Sequence, residues 1–353
     1  MSENLPHIEG AACPVPLLHR DRIVMGHGSG GKMTHDLIER LFLPAFDNPA
    51  LRRGDDSGVV EAGNTRLAFT TDSHVVTPLF FPGGDIGRLA ICGTVNDLVM
   101  LGARPLALSA GFIIEEGLPA EILQRVAASM QAAAAEAGVQ VVTGDTKVVQ
   151  KGKADGLYIN TSGLGLLTEG VEISGANARP GDALILSGPL GLHGIAVMQA
   201  RGELGFQSDI TSDVAPLNGL VSALLGAVAE VHTLRDPTRG GLAATLNEIA
   251  RQSQVNILLE ENAIPVPPVV AAACEMLGLD PLVIANEGKL IACLPQAHAA
   301  AALAALRSLP YGREACQIGT VQAAPKGRVL MRTTLGTTRV IDMPGGEILP
   351  RIC

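Results

Sequence analysis

The sequence predicts a mixed α/β fold of the α+β type, divided into two domains. A single hydrophobic core seldom serves more than about 250–300 residues, and this chain has 353. Hydrophobic residues make up 47% and charged residues 17%, so packed cores are expected and wholesale disorder is excluded. Short Val/Ile-rich runs and Ala-rich helical patterns occur in both halves, which predicts strands and helices in each domain.

The first half begins with a proline-interrupted stretch that we interpret as a loose arm over residues 1–21. The helix expected after the Gly-rich loop has one apolar face, formed by Leu37, Ile38, Leu41 and Phe42. Asp85 is the expected N-cap of a second helix that stops at Gly102. The predicted elements are a helix over 33–46, a hairpin over 58–72, helices over 86–102 and 120–138, strands over 105–114 and 157–167, and, over 139–147, a strand that runs into a loop containing Asp145.

The pattern restarts after a boundary near residues 166–180, so we assign the N-terminal domain to 22–166 and the C-terminal domain to 167–342. Residues 343–353 follow as a flexible tail. In the second half, the predicted elements are strands over 183–188, 256–262, 282–295 and 314–321, helices over 191–202 and 242–252, and a hairpin within 328–346.

Charge and cysteine content narrow the functional classes. The chain has 26 basic and 35 acidic residues and no Lys/Arg cluster, which gives nucleic-acid binding no electrostatic support. No signal peptide or membrane-spanning run is expected, and the absence of a CxxC pair favours reduced cysteines in the cytoplasm. Four cysteines in apolar stretches are expected to be small core residues: Cys92, Cys274, Cys293 and Cys316.

Carboxylates occupy positions where solvated charge is not expected, beside strands or inside an apolar helix. Unpaired burial of such groups is costly, so partners are expected, and Mg²⁺ on a nucleotide prefers oxygen ligands of this kind. For Asp55, Asp56 and Asp236, a turn or N-cap role is the alternative. The candidates are Asp55, Asp56, Asp72, Asn96, Asp97, Asp145 and Asp236.

The segment GHGSGGK over 26–32 has the spacing of a phosphate-binding P-loop, but Met33 stands where that motif has Ser or Thr. We therefore favour a mobile Gly-rich lid whose amides and Lys32 meet phosphate groups, with His27 as a further phosphate contact. A plain linker is the alternative. The lid's candidate residues are His27, Gly28, Gly30, Gly31 and Lys32.

Three further side chains are candidates for catalysis. Lys147 and Glu287 each follow a Val/Ile-rich run that could fix a catalytic group. Cys353 is the last residue of the sequence, and a thiol with an ordinary pKa near about 8.5 needs a base to react at neutral pH. For His193, beside glycine, a loop or packing role is the strongest interpretation.

These motifs together resemble the HypE family of carbamoyl dehydratases in [NiFe]-hydrogenase maturation, within the superfamily of aminoimidazole ribonucleotide synthetase and selenophosphate synthetase. The resemblance extends from about residue 22 to the end, and it assigns no role to residues 1–21. The terminal PRIC selects the hydrogenase branch. The motifs are HGSGGK, RGDDSGVV, TTDS, VNDLVMLGA, TGDTK, DPTRGG, NEG and PRIC.

The resemblance implies two α/β domains, with the N-terminal domains of a homodimer pairing into a barrel-like interface beside which ATP and Mg²⁺ bind. It implies Mg²⁺ ligation by Asp55, Asp72, Asp97 and Asp145, with Asn96, Thr146 and the Gly-rich lid assisting. Lys147 and Glu287 match residues proposed for deprotonation near the thiol.

The implied reaction starts when a carbamoyltransferase, HypF, loads a carbamoyl group on Cys353. The tail, hinged at Gly345-Gly346, carries that group to ATP, and dehydration leaves S-cyanide for iron on a HypC–HypD scaffold. An ATP-dependent kinase or synthetase acting on a free small molecule, and a non-catalytic nucleotide-binding scaffold, are the alternatives.

Overall fold

The computed structural model describes His19, residues 21–346 and residues 351–353. Most of the predicted arm, including Cys13, and the middle of the predicted tail lie outside the described residues. Within the described part of the chain, no helix is both long enough and apolar enough to cross a membrane.

The first half of the chain forms a five-stranded sheet in the order β1-β2-β7-β5-β6, together with a small β3-β4 hairpin. All neighbours in the larger sheet are antiparallel except β5 and β6. The strands are β1 (Gly58–Ala62), β2 (Thr65–His74), β3 (Phe80–Phe81), β4 (Gly84–Asp85), β5 (Ala103–Glu115), β6 (Val141–Val149) and β7 (Leu157–Leu167).

Helices cover one face of this sheet. Burial alternates residue by residue along β7, as expected when one face of a strand is packed and the other is not. The covering helices are α4 (Ile86–Val99), which packs on β2, β5 and β7, and α5 (Ala120–Ala137), which packs on α4. Before the first strand come α1 (Lys32–Leu37), α2 (Leu43–Phe46) and α3 (Pro49–Arg52), and a π-helical turn (Ile38–Phe42) joins α1 to α2.

The second half forms a seven-stranded sheet in the order β14-β13-β10-β12-β8-β11-β9. The strands are β8 (Asp182–Leu186), β9 (Thr233–Arg235), β10 (Asn256–Glu260), β11 (Ile291–Pro295), β12 (Cys316–Gln322), β13 (Arg328–Arg332) and β14 (Thr338–Val340). The helices are α6 (Leu192–Ala200), α7 (Asn218–Ala227), α8 (Gly241–Gln252), α9 (Pro268–Leu277) and α10 (Ala299–Arg307).

This second sheet is covered on both faces. Leu184 and Leu186 of β8 belong to an apolar cluster with α8, whereas Ala183 and Ile185 belong to a cluster with α7 and α10. The alternation follows the two-residue period of a strand, and it gives the second half three layers, helix–sheet–helix.

Local sequence signals predicted several elements well. The hairpin of β1 and β2, the N-cap at Asp85, the end of α5 at Gly138 and the hairpin of β13 and β14 are confirmed. Burial is confirmed for Cys92, Cys274 and Cys293, whereas Cys316 is only partly buried.

Three local predictions need correction. The apolar face of the helix over 33–46 is not in the core: Leu41 and Phe42 are 55% and 43% exposed. The strand predicted over 282–295 forms only at Ile291–Pro295, so Glu287 lies in the loop before it. Asp145 was expected in a loop after a strand, but it lies inside β6, which continues to Val149.

Candidate active site

The last residues of the chain are packed inside the protein, next to the candidate catalytic groups. Ile352 is only 3% exposed and belongs to the apolar core of the first half. The main-chain oxygen of Cys353 accepts a hydrogen bond of 2.9 Å from Val75 N, directly after β2. The segment predicted as a flexible tail therefore ends in a fixed position in this structure.

The Cys353 thiol lies beside the carboxyl group of Glu287, with Arg239 and Asp72 as its other charged neighbours. Burial raises the pKa of the Cys353 thiol well above its usual value, and the neighbouring Glu287 raises it further. The thiol is therefore protonated at neutral pH while the tail is docked, and a base beside it is a chemical requirement for thiolate formation there.

Glu287 is itself held by a rigid loop. Asn96 Nδ2 donates to the Glu287 main-chain oxygen at 3.4 Å, and Asp213 Oδ1 accepts from Glu287 N at 3.2 Å. The next residue must be glycine, because a Cβ at Gly288 would lie 1.8 Å from the Asp213 main-chain oxygen. Burial, followed by the charges of Asp236 and Asp72, raises the pKa of Glu287 well above its usual value.

Four more carboxylates lie close enough to perturb one another. The pKa of Asp97 is well above its usual range because of burial, with the charges of Asp236, Asp72 and Asp56 adding to the effect. Burial also raises the pKa of Asp56 well above its usual range and that of Asp236 to about 6. For Asp72, burial raises the pKa, but the charges of His74 and Arg239 outweigh it and the net pKa is lowered.

The negative charges of these acids are only partly balanced by positive side chains and hydrogen-bond donors. Asp56 Oδ1 lies 3.2 Å from Arg235 Nε, whereas Asp56 Oδ2 and Glu287 Oε1 are buried without a hydrogen-bond partner among the described residues. Thr70 donates to Asp97 Oδ2 at 2.8 Å. A divalent cation would relieve the mutual repulsion, and hard oxygen donors suit Mg²⁺. In the described part of the chain no three acidic, His or Cys side chains form a metal site on their own, so water and phosphate oxygens would complete the coordination.

A cleft of about 760 Å³, within the range of small-molecule sites, is lined by Cys353 and Arg239. It is lined by the Gly-rich segment, by Ser73 and Val75 after Asp72, and by Arg239, Arg351 and Cys353. Its size fits a nucleotide, and Arg239 and Arg351 place two positive side chains on walls that are otherwise mostly apolar.

The Gly-rich segment is not a P-loop. The segment begins within a short 3₁₀ turn (Met25–Gly28) instead of after a strand, and Met33 is buried. Gly31 is a required glycine, because a Cβ there would lie 2.4 Å from the Pro344 main-chain oxygen, which also accepts from Lys32 N at 2.9 Å. The segment therefore packs against the start of the tail.

Two of the predicted nucleotide residues are engaged elsewhere. Asp55 accepts hydrogen bonds from Ser174 Oγ, at 2.9 and 3.0 Å, and from Gly175 N at 2.8 Å, and it pairs with Arg53. Asn96 is buried, and its amide bridges Ala215 O at 3.1 Å and Leu217 N at 2.8 Å. Both side chains tie the two halves of the chain together, which leaves little capacity for a metal or nucleotide.

Three other predicted residues are not brought to the site. Asp145, Thr146 and Lys147 lie exposed on β6, and Asp145 pairs with Lys147 at 3.1 Å. In the sheet register, Asp72 pairs with Thr161 of β7, and Thr161 pairs with Ala110 of β5. Ala110 in turn pairs with Gly144 of β6, the residue before Asp145. Three strand spacings of about 4.8 Å separate β2 from β6, so the backbone of Asp145 is about 14 Å from that of Asp72 within one protomer.

Three groups near the reaction centre were not predicted as site residues from the sequence. Arg239 was inside the noted DPTRGG motif, and its guanidinium donates to Gly28 O at 3.1 Å. Arg235 pairs with both Asp56 and Glu248. His193 Nε2 contacts Ile352 O at 2.8 Å. A positive residue in a Gly-rich loop was a usable signal for Arg239. The sequence carries no such signal for the contact of His193, whose partner Ile352 lies 159 positions away.

Comparison with known proteins follows the two halves. Residues 54–167 match the family model of AIR synthase related protein, N-terminal domain, and residues 179–332 match that of AIR synthase related protein, C-terminal domain. The chain is thus a two-domain protein of the AIR synthase related class. A carbamoyl dehydratase HypE of Cupriavidus necator is 55% identical over 334 residues, which cover 94% of this chain and 95% of the relative. This protein belongs to the HypE family of carbamoyl dehydratases.

Solved structures agree with this assignment. HypE in a HypE–HypF complex is 50% identical with a TM-score of 0.83, covering 87% of this chain and 99% of that one. HypE in complex with ATP is 53% identical with a TM-score of 0.79, covering 93% and 98% of the two chains. The mixed α/β fold with two AIR synthase related domains is confirmed.

Proposed function

We propose that this protein is an ATP-dependent carbamoyl dehydratase that converts an S-carbamoyl group on Cys353 into an S-cyano group during hydrogenase maturation. The observation that carries this conclusion is the docked tail, which brings the Cys353 thiol beside Glu287 and the acidic cluster. A kinase or synthetase acting on a free small molecule has no need for a thiol of its own chain at that place.

The reaction balances as a transfer of one oxygen to phosphate. The carbamoyl oxygen attacks the γ-phosphorus of ATP, the bond to the bridging oxygen breaks, and ADP leaves. The C–O bond then breaks with its electron pair on phosphate while both N–H protons are lost and the C≡N bond forms. Glu287 is the group placed to accept a proton next to the sulfur, and its raised pKa suits a base that works near neutral pH.

Binding and orientation come from residues around the cleft. We assign the phosphate contacts to the Gly-rich segment and Arg239, and contact with Mg²⁺ to Asp72 and Asp97, with Asp56 and Asp236 nearby. Mg²⁺, when bound with ATP, would supply charge compensation for phosphoryl transfer. Because Ile352 is buried in the apolar core and lines the cleft beside the thiol, the docked tail would also limit the access of water to the activated intermediate.

We further propose a homodimer formed through the uncovered face of the first sheet. Its outer face carries large exposed apolar side chains, which monomeric proteins rarely leave in one patch. These are Val60, Phe69, Leu106 and Ile113. Two such sheets facing each other would give the barrel-like interface expected from the family resemblance.

The dimer also gives a role to the strand β6. Lys147 and Asp145 are too far from Asp72 in one protomer, but they lie at the edge of the proposed interface. We propose that Asp145, Thr146 and Lys147 of one protomer complete the site of the other. Lys147 would then meet the phosphates or the carbamoyl nitrogen in trans.

The remaining assignments extend this picture. HypF is the proposed carbamoyl donor protein, in line with the solved HypE–HypF complex, and a HypC–HypD complex is the proposed acceptor of cyanide for the [NiFe] centre iron. We assign residues 22–166 to an ATP-binding and dimerisation domain, 167–342 to the second α/β domain and 343–353 to the carrier tail. We also propose a cytoplasmic location, where ATP is available and a free thiol stays reduced.

The test of this function is the substitution Cys353→Ala. It should abolish formation of S-cyanide while ATP still binds, because the sulfur is the carrier and not a nucleotide ligand. Full dehydratase activity in this variant would refute the proposal and favour a small-molecule kinase or synthetase.

A further inference from the structure

The end of the tail is held by contacts to the main-chain oxygens of its last three residues. We call this set of contacts the tail seat and define it as Val75, His193 and Arg201. Val75 N donates to Cys353 O at 2.9 Å, and an Arg201 guanidinium nitrogen donates to Arg351 O. His193 Nε2 contacts Ile352 O at 2.8 Å, so each of the last three residues has its own partner.

His193 is the fully buried member of the tail seat. It lies in the first turn of α6, and its ring meets Phe81 edge to face, with the ring centres 5.4 Å apart. Its other nitrogen, Nδ1, lies 2.8 Å from Ser212 Oγ. Both ring nitrogens therefore have a polar partner, and one partner is the tail itself.

The partners fix the position of the ring proton. Ile352 O only accepts, so Nε2 must carry the proton. Ser212 Oγ already accepts from Val214 N at 3.1 Å, which leaves its hydroxyl hydrogen to donate to Nδ1. The neutral ring with hydrogen on Nε2 satisfies every group, and the lowered pKa of the buried His193 agrees with a neutral ring.

The contact between His193 and Ile352 does more than pack the core, because it sets the position of the Cys353 sulfur, which is the reacting atom. If His193 lost its donor, Ile352 O would be left without a partner as long as the tail stayed docked. The docked state would then be disfavoured relative to the released state, in which water hydrates that oxygen. Reactions that depend on alignment lose rate steeply when a reacting group is misplaced by about 1 Å.

We propose that His193 is a positioning residue, which holds the Cys353 carrier peptide in the reaction site through its Nε2–H group, and that Ser212 fixes the required tautomer. The proposal rests on the proposed dehydratase function for its consequence, but the seating itself can be measured without turnover. The seat is also the element that must release the tail before a carbamoyltransferase can load it.

Two substitutions at one position separate hydrogen bonding from shape. His193→Phe keeps an aromatic ring against Phe81 but has no donor. His193→Gln retains an N–H donor at about the distance of Nε2. Each variant is carbamoylated by the carbamoyltransferase, purified and given Mg-ATP, and single-turnover dehydration is followed by the mass of the C-terminal peptide. In parallel, uncarbamoylated protein is treated with iodoacetamide, and alkylation of Cys353 is measured in the same peptide.

For His193→Phe we expect dehydration to slow by about tenfold or more and alkylation of Cys353 to accelerate by a similar factor, the effect of one buried hydrogen bond lost. ATP affinity should not change, and carbamoylation should not slow, because the released tail is the form the transferase needs. His193→Gln should stay within about threefold of the wild type in both rates. His298→Phe, the same change at a histidine of the 3₁₀ turn Gln296–His298, is the matched control and should alter neither rate.

The proposal is overturned if Cys353 in His193→Phe is alkylated as slowly as in the wild type, or if His193→Gln is as impaired as His193→Phe. If His193→Phe does not fold, Ser212→Ala decides, and an unchanged alkylation rate in that variant overturns the proposal. Failure of the dehydratase function is a separate result, because the wild type would then show slow alkylation but no loss of water from the carbamoyl adduct.

Discussion

Replacement of Asp97 by asparagine should raise the thermal stability of the ligand-free protein and, at the same time, weaken the binding of Mg-ATP. Asp97 is in α4, and its side chain has Thr70 as its hydroxyl donor while three other carboxylates act on it. Asparagine keeps an oxygen for Thr70 and the same volume, but it carries no charge. The substitution therefore removes the repulsion without opening a cavity.

The size of the stability gain, and the pH range in which it appears, follow from the raised pKa of Asp97. The pKa of Asp97 is raised in the folded protein, so its ionisation opposes folding, and stability is lost as pH rises above the ordinary value of about 4 toward the folded-state pKa. A buried, poorly compensated polar group costs about 1–3 kcal/mol. For about 2 kcal/mol, the melting temperature should rise by roughly 4–8 °C at pH 7. The gain should vanish below about pH 4, where Asp97 is protonated in both states.

The assay pairs thermal unfolding at pH 4 and pH 7 with calorimetric titration of ATP in Mg²⁺. Loss of a carboxylate that contacts or orients the metal should weaken Mg-ATP binding by about 10–100-fold. Asp47→Asn is the matched control: Asp47 is exposed and paired with Arg52, which lowers its pKa, so its loss should not stabilise the protein or alter nucleotide affinity. An unchanged Mg-ATP affinity would remove Asp97 from the site, and a lower melting temperature at pH 7 would refute the repulsion argument.

Three more predictions test the base, the dimer and the tail. Glu287→Gln should block dehydration while ATP still binds, and wild-type single-turnover rates should fall as pH drops through the raised pKa of Glu287; a Gln variant with the wild-type rate would exclude Glu287 as the base. Lys147→Ala and Cys353→Ala homodimers should each be inactive. Mixed dimers of the two variants should regain activity, because one of the two sites then has both the lysine and the thiol. If mixed dimers show no recovery, Lys147 does not act in trans. Ile352→Ala should speed alkylation of Cys353 by about tenfold, because a buried aliphatic side chain contributes about 1.5–3 kcal/mol to docking of the tail. The melting temperature of the domains should stay nearly unchanged. A wild-type alkylation rate would contradict the role of Ile352 in holding the tail.

Elements with local signals could be predicted from the sequence. The Gly63-Asn64 turn, the Asp85 cap and the helix end at Gly138 are decided by residues within a few positions, and all three occur in the structure. The acidic character of the site was also predictable, because Asp97 interrupts an apolar helix.

Features decided by long-range packing could not be predicted. Asn96 stands beside Asp97 in the sequence, yet one faces the main chain around residue 215 and the other faces the acidic cluster. Asp145 follows an apolar run that resembles the end of a strand, but pairing with β5 continues the strand past it. The apolar face around Leu41 has the period of a core helix, and the sequence does not encode what, if anything, covers it.

In the proposed reaction, the cyano group is built on the sulfur of Cys353. The most direct test is the intact mass of the C-terminal peptide, sampled over time after the protein is mixed with the carbamoyltransferase, its carbamoyl donor and Mg-ATP. We expect a carbamoyl adduct on Cys353 that later loses the mass of one water. An active transferase that leaves Cys353 unmodified, or an adduct that never loses water in the presence of ATP, would contradict it.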